Sequence, residues 1–313
     1  MGETKMTNNL VSTNFLYERV IAQAWRNMEK NLLKTIIVKP ENIVLKQYVE
    51  YFLFLQKNDG IPVQYSTFPN NNLCLAIYRH NHVDYQRDEK VNHCIIKTGK
   101  KEFTSRIYGF HNMPFKVDIQ QELNQICVIF HPAALKAFTR VDFDEICYTD
   151  QMFEQLFQPK DKYFLEQLFD EPDPAQQARK LERLLLNELE ENRVSKIQEA
   201  LYHLSIAQLN NPNMSVDMLC QKLGISDTTL FRIFKNSLGQ NPQKYIKTVR
   251  FRKALKDLMN TPDPLTTVAL RHHYYDQAHF IKDFKTFTGY SPKKLLKAVS
   301  VQQQSLAWIY QEK

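Results

Sequence analysis

Between residues 32 and 130 the apolar positions come in short β-branched and aromatic runs: TIIV, IVLKQYVEYFLFL, LCLAIY, HCIIK, SRIYGF, KVDI and QICVIF. Turn clusters such as KNDG, PNNN and KTGK separate them. Runs of this length with this punctuation predict strands, mainly antiparallel and closing into a barrel or sandwich. Upstream, Leu16, Val20, Ile21, Ala24, Trp25 and Met28 recur on one side of a short amphipathic helix over 14–30. After His131-Pro132 the period turns helical and stays so. In EPDPAQQARKLERLLLNELEENR, leucines 181, 184, 185 and 189 share one face, which predicts a helix used as a linker or dimer contact. From 196 onward the pattern gives seven helices: 197–210, 215–223, 226–238, 242–259, 264–271, 276–287 and 292–299. Ser215, Ser226, Asn241-Pro242 and Ser291-Pro292 are placed to cap helix starts. Gly224, Gly239 and Gly289 stand where helices should stop.

The expected fold class is α+β, a β-rich barrel or sandwich with some helices followed by an all-α domain. The boundaries fall as an N-terminal helical segment (1–31), the β-rich domain (32–170), a linker helix (171–195), the helical domain (196–300) and a C-terminal tail (301–313). A chain of 313 residues accommodates two such cores. With 43% hydrophobic and 24% charged residues the composition is that of a globular protein. The longest apolar run, ICVIF, is too short to cross a bilayer. The stretch MGETKMTNNLVSTNF has no signal-peptide apolar core, and Met6 stands where a myristoylation motif wants Ser or Thr. A cytoplasmic protein is expected. Five cysteines (Cys74, Cys94, Cys127, Cys147, Cys220) lie far apart with no C-x-x-C pair, so they read as buried thiols packed as small hydrophobes.

Charge changes the picture. Residues 196–313 hold 17 Lys+Arg against 8 Asp+Glu, a net +9; the rest of the chain, with 24 against 26, is at −2. The basic half is also repetitive. FKNSLGQNPQKYIK (234–247) recurs as FKTFTGYSPKKLLK (284–297), identical at six positions at an offset of fifty, the mark of a duplicated supersecondary unit. In SVDMLCQKLGISDTTLFRIFKNSLG, Val216, Leu219, Cys220 and Leu223 form the inner face of one helix, Gly224 makes the turn and Ile225 plugs it. Leu230, Ile233 and Phe234 bury the next helix, leaving Asp227, Thr228, Phe231, Arg232 and Lys235 outward. This is a helix-turn-helix, whose second helix enters the DNA major groove. The second copy, LTTVALRHHYYDQAHFIKDFKTFTG, buries Val268, Ala269, Phe280 and Phe284 and presents Gln277, Lys282 and Lys285.

On these residues, 197–299 resembles the two-motif DNA-binding domain of AraC/XylS-type transcription regulators. The shared signature is a helix-turn-helix, a connecting helix with R-x-x-x-A-x-x-x-L (Arg250, Ala254, Asp257-Leu258), a second helix-turn-helix, and the element here written FKTFTGYSPKKLL. The chain departs from it where the family has Gly-Phe at the second turn and this sequence has His273-Tyr274. His costs energy at positive φ, so a bent or weaker second reader is expected. A connecting helix of eighteen residues spans roughly 27 Å, able to set two recognition helices about one DNA turn, roughly 34 Å, apart.

The resemblance implies that Thr228, Phe231 and Arg232 approach base edges, with Arg232 suited to guanine, and that Gln277 and Lys282 do so in the second helix, Gln being suited to adenine. Lys235, Lys244, Lys285 and Lys294 match phosphate contacts. It implies double-stranded DNA as partner, RNA polymerase as a second, a small-molecule effector or a homodimer contact in the N-terminal domain, and no cofactor or membrane, with activation and repression both open. The β-rich part resembles more loosely the N-terminal domains of uncharacterised members, in VIFHPAALKAF followed by CYTDQMFEQLF.

An alternative rests on His80-x-His82, with His93 and His111 in the same region. Alternate strand residues share a face and could ligate one metal, giving a cupin-like metal-dependent enzyme or metal sensor fused to a DNA-binding domain. Gln86 and Arg87 occupy the place of the cupin carboxylate, which weighs against it. A fused DNA-repair methyl acceptor needs a four-cysteine zinc site that is missing. No Ser-His-Asp, P-loop or dinucleotide fingerprint appears, so no catalytic or metal-binding residue and no enzyme activity is assigned.

Overall fold

The computed structural model describes residues 33–88, 92–139, 150–157, 159–191, 195–210, 215–298, 301–303 and 306–310. The expected helix over 14–30 and Cys147 lie outside them. Seven strands come from the first half: β1 (Lys34–Val38), β2 (Val49–Lys57), β3 (Val63–Thr67), β4 (Leu73–Arg87), β5 (Asn92–Tyr108), β6 (Phe115–Ile119) and β7 (Leu123–Phe130). They form a curled sheet in the order β1-β2-β7-β4-β5-β6-β3. All of these pairings are antiparallel except β5–β6.

The curl has a definite cause. Pairing of β4 with β5 jumps from Arg79↔Phe103 to Asn81↔Thr98, and His80 at the jump has φ 59°. A Cβ on Gly99 would lie 2.8 Å from both the Asn81 carbonyl carbon and the His82 nitrogen, so only glycine admits this approach. The buried Asn81 side chain pins the corner, donating to the Glu122 carbonyl (2.8 Å) and accepting from the Asn124 amide (3.2 Å). KTGK, read from the sequence as a turn, is therefore a bulge inside one bent strand, and HCIIK and SRIYGF are its two arms. Beyond the bend each long strand changes partner: β4 meets β7 through 73–78, and β5 meets β6 through 93–96.

Both faces of the sheet are covered. Tyr51, Leu53 and Leu55 of β2 point to the inside of the curl with Tyr78, Ile96 and Val117, while Phe52 and Phe54 point outward with Leu75, Ile77 and Val128. This two-sided burial is why β2 reads as an unbroken apolar run. The outer face is roofed by α1 (Met152–Leu156), α2 (Phe164–Phe169) and α3 (Pro174–Glu188). Asp173 caps α3 by accepting from the Ala175 amide (3.0 Å), with Pro174 at its first position. Leu181, Leu184 and Leu185 of α3 are spent inside this core, and the buried Glu182 carboxylate takes the amides of Glu41 (2.5 Å) and Asn42 (3.2 Å).

The helical half comprises α4 (Ser195–Asn210), α5 (Val216–Leu223), α6 (Asp227–Leu238), α7 (Pro242–Asn260), α8 (Leu265–Arg271), α9 (Gln277–Thr288) and α10 (Pro292–Ala298). The outer sheet core continues without a break into it, through Ile197, Ala200 and Leu204 to Leu219, Leu230, Phe234 and Tyr245. A separate core holds Phe251, Leu255, Val268, Phe280, Phe284 and Leu295, and Phe68 of the β3–β4 loop belongs to it. The segment expected as a tail instead forms β8 (Val301–Gln303) and β9 (Leu306–Tyr310), and β9 adds to the sheet by pairing with β3 at Tyr65↔Tyr310 and Ser66↔Ile309.

Candidate nucleic-acid interface

The first motif is built by its caps. Ser215 accepts from the Met218 amide (3.2 Å) to start α5, and Gly224 ends it in the left-handed region at φ 63°. Ser226 accepts from the Thr229 amide (3.3 Å) to start α6 two residues later. The turn is locked by the Ile225 amide on the Cys220 carbonyl (3.1 Å). With Leu230, Phe234 and Leu238 buried, the opposite face of α6 leaves Thr228, Phe231, Arg232 and Lys235 exposed, Phe231 at 50%.

The second motif repeats this geometry with different residues. The Tyr274 amide bonds the Ala269 carbonyl (3.0 Å) as Ile225 bonds Cys220, and His273 takes the role of Gly224 at φ 56°. The turn closes as in the first motif, so the bend expected from His273 does not occur there. Tyr274 is the buried plug, its ring 5.0 Å from Phe280. Asp276 caps α9 by accepting from the His279 amide (2.7 Å). Gln277, Lys282 and Lys285 are exposed on α9, and the Gln277 carbonyl oxygen accepts from the Thr266 hydroxyl (2.8 Å). Lys244 and Lys294 are exposed in the first turns of α7 and α10. All nine residues singled out from the sequence thus lie on exposed faces, seven of them on α6 and α9 and two in the first turns of α7 and α10.

The frame between the motifs is ionic. Arg250 of α7 reaches Asp283 of α9 (3.2 Å) and stacks on the Tyr274 ring, 4.4 Å from its centroid. The signature arginine is therefore a strut between helices. Asp257 receives Arg271 (2.7 Å) and His272 (3.0 Å), and Arg271 also holds Asp263 (2.7 Å). The Arg271 hydrogen bond, helped by His272, holds the Asp257 carboxyl below the usual range; burial pushes the His272 imidazole down in spite of Asp257. Tyr275, just before the α9 cap, is 88% exposed.

His273→Gly should stabilise the protein. A side chain in the left-handed region costs about 1–2 kcal/mol, against about 0.5–1 kcal/mol of extra unfolded-chain entropy for glycine. The net expectation is a rise in the urea midpoint equivalent to about 0.5–1 kcal/mol at constant m; a lower midpoint would show that the imidazole makes a compensating contact.

Comparison with known proteins agrees with the geometry. The family described as a helix-turn-helix domain matches residues 219–298. The C-terminal domain is a helix-turn-helix domain of the AraC type. Residues 38–152 match a domain of unknown function, DUF6597. An uncharacterized HTH-type transcriptional regulator of Staphylococcus aureus strain MSSA476 is 29% identical over 132 residues, 41% of this chain and 17% of that protein. One from Haemophilus influenzae is 28% identical over 98 residues, 31% of this chain and 33% of that one. The chain thus spans about a sixth to a third of the length of these relatives. Among solved structures, an AraC-type regulator from Chromobacterium violaceum is similar at 24% identity and TM-score 0.32, over 36% of this chain and 98% of that one. ToxT from Vibrio cholerae O395 is similar at 11% identity and TM-score 0.38, over 75% and 96%. The metal alternative is not favoured: among the described residues no three His, Cys, Asp or Glu side chains group to hold a metal, His80 sits at the bulge rather than in strand alternation, and His82 pairs with Asp84 (2.8 Å). Among the described residues no helix is long and apolar enough to cross a membrane.

Proposed function

We propose that this chain is a sequence-specific DNA-binding transcription regulator whose helices α6 and α9 enter two adjacent major-groove segments, under control of a small-molecule effector in the β-domain. The observation that carries this reading is the repetition of one turn geometry, at Gly224 and at His273, each presenting an exposed polar helix from the half of the chain with net charge +9. Arg232 and Phe231 meet base edges from α6, Gln277 and Lys282 from α9. Lys235, Lys244, Lys285 and Lys294 hold phosphates, which orients the domain without reading sequence. The nineteen-residue α7, roughly 28 Å long, spaces the readers for an asymmetric site that one chain recognises. RNA polymerase and a second copy are the further partners this reading expects, in the cytoplasm, with no catalytic step.

Two substitutions separate the roles. Arg232→Ala should relax preference at one base pair, costing about 1–3 kcal/mol on the preferred site and little elsewhere. Lys244→Ala should weaken all sequences alike. Binding titrations on a selected duplex and on scrambled DNA read the difference, and identical uniform weakening by both would remove the assignment of Arg232 to a base.

A further inference from the structure

The inside of the curled sheet is not filled. A cavity of about 150 Å³ lies there, walled by Leu53, Leu55, Ile96, Val117, Tyr108 and Phe115. The Tyr108 hydroxyl does not need a ligand, because it bonds the Tyr78 hydroxyl (2.8 Å) and Cys94 Sγ (3.4 Å). Gln125 is different. Only 6% exposed on β7, it gives its amide N–H to Cys127 Sγ (3.1 Å), but its Oε1 is buried with no hydrogen-bond partner. Nε2 of His111, also in the lining, is in the same state. Its ring is neutral, burial and then Arg87 pushing it down to about 3. An unpaired buried polar atom costs about 1–3 kcal/mol, and native proteins keep few of them.

We propose that this cavity binds a small uncharged molecule, about the size of one six-membered ring, that donates a hydrogen bond to Gln125 Oε1. Size follows from volume: an apolar cavity of about 150 Å³ accepts benzene. Neutrality follows from the walls. The cation of the lining, Arg252, stands at the α7 end beside Tyr51 and Glu50, and an ion deeper among leucines and aromatics would be left without compensation. The required donor follows from Gln125 itself. This inference rests on the effector reading above and gives it a route. The β3–β4 loop lines the cavity with Phe68, Asn70 and Asn72, while Phe68 packs in the second motif's core. Asn71 of the same loop donates to the Tyr245 carbonyl (3.5 Å) and accepts from Gln240 (3.4 Å), and Arg252 belongs to the helix that joins the two readers.

The test uses the full chain with phenol, toluene and benzoate, their affinities measured by calorimetry or ligand-observed NMR. Phenol should bind about tenfold tighter than toluene, the worth of one buried hydrogen bond, and benzoate weaker than either. Gln125→Leu should bring phenol down to the level of toluene while toluene binding persists, which shows the cavity intact. Absence of binding by both phenol and toluene, tighter binding of benzoate, or an unchanged preference for phenol in Gln125→Leu would overturn the proposal. DNA affinity measured with and without saturating phenol separates the two readings. Selective phenol binding without a change in DNA affinity would sustain the ligand class and sink the effector role.

Discussion

Phe284→Ala is expected to cost about 3–5 kcal/mol of folding stability, the usual range for deleting a fully enclosed phenylalanine ring. Phe284 has no exposed surface and meets Phe251 and Phe280 edge to face at 5.2 and 5.1 Å. Phe251 in turn stacks on Phe287 at 4.6 Å. The ring is thus the hinge pin between α7 and α9, and the cavity left behind has aromatic walls on two sides that cannot collapse cheaply. Because Phe68 of the β-domain sits in the same core, the loss should appear in one cooperative transition of the whole chain. The control is Phe231→Ala, which deletes the same ring from a half-exposed site. It should leave stability within about 0.5 kcal/mol and lower DNA affinity. Urea unfolding of the two variants measures both, and a cost below about 1 kcal/mol for Phe284→Ala would mean that the second motif is not packed as described.

Salt should act strongly on DNA binding. If Lys235, Lys244, Lys285 and Lys294 each neutralise a phosphate, the slope of log affinity against log salt is about −3.6, a loss of about 150-fold between roughly 50 and 200 mM. The double variant Lys244→Ala, Lys294→Ala should flatten that slope by about two units. A flat salt response in the parent chain, or an unchanged slope in the variant, would place the DNA contacts elsewhere.

The helical half was legible because its signals are local. Ser215, Ser226 and Asn241 are read as caps from neighbouring residues, and each accepts the amide expected of it. The glycines at 224, 239 and 289 were read as helix stops and all have positive φ. The recognition faces follow from which positions of α6 and α9 the core leaves over. What stayed hidden depends on distant partners. Nothing near Gly99 tells that Asn81 will lie against it, so a bulge read as a turn. The pairing of β9 with residues 65 and 66 is invisible from either end. Arg250 was part of a recognisable signature, but its work as a strut needs Asp283 and Tyr274 in place. The cavity and the unpaired Oε1 of Gln125 belong to the curl of the sheet, which the alternation of β2 could not reveal because both faces are apolar.

The most direct test of two readers on one chain is methylation interference on a duplex selected from random DNA by this chain. Dimethyl sulfate marks guanine N7 in the major groove. The account predicts two clusters of interfering guanines about ten base pairs apart on one side of the duplex, the one under α6 lost selectively in Arg232→Ala. A single cluster, or two that respond together to that substitution, would contradict it.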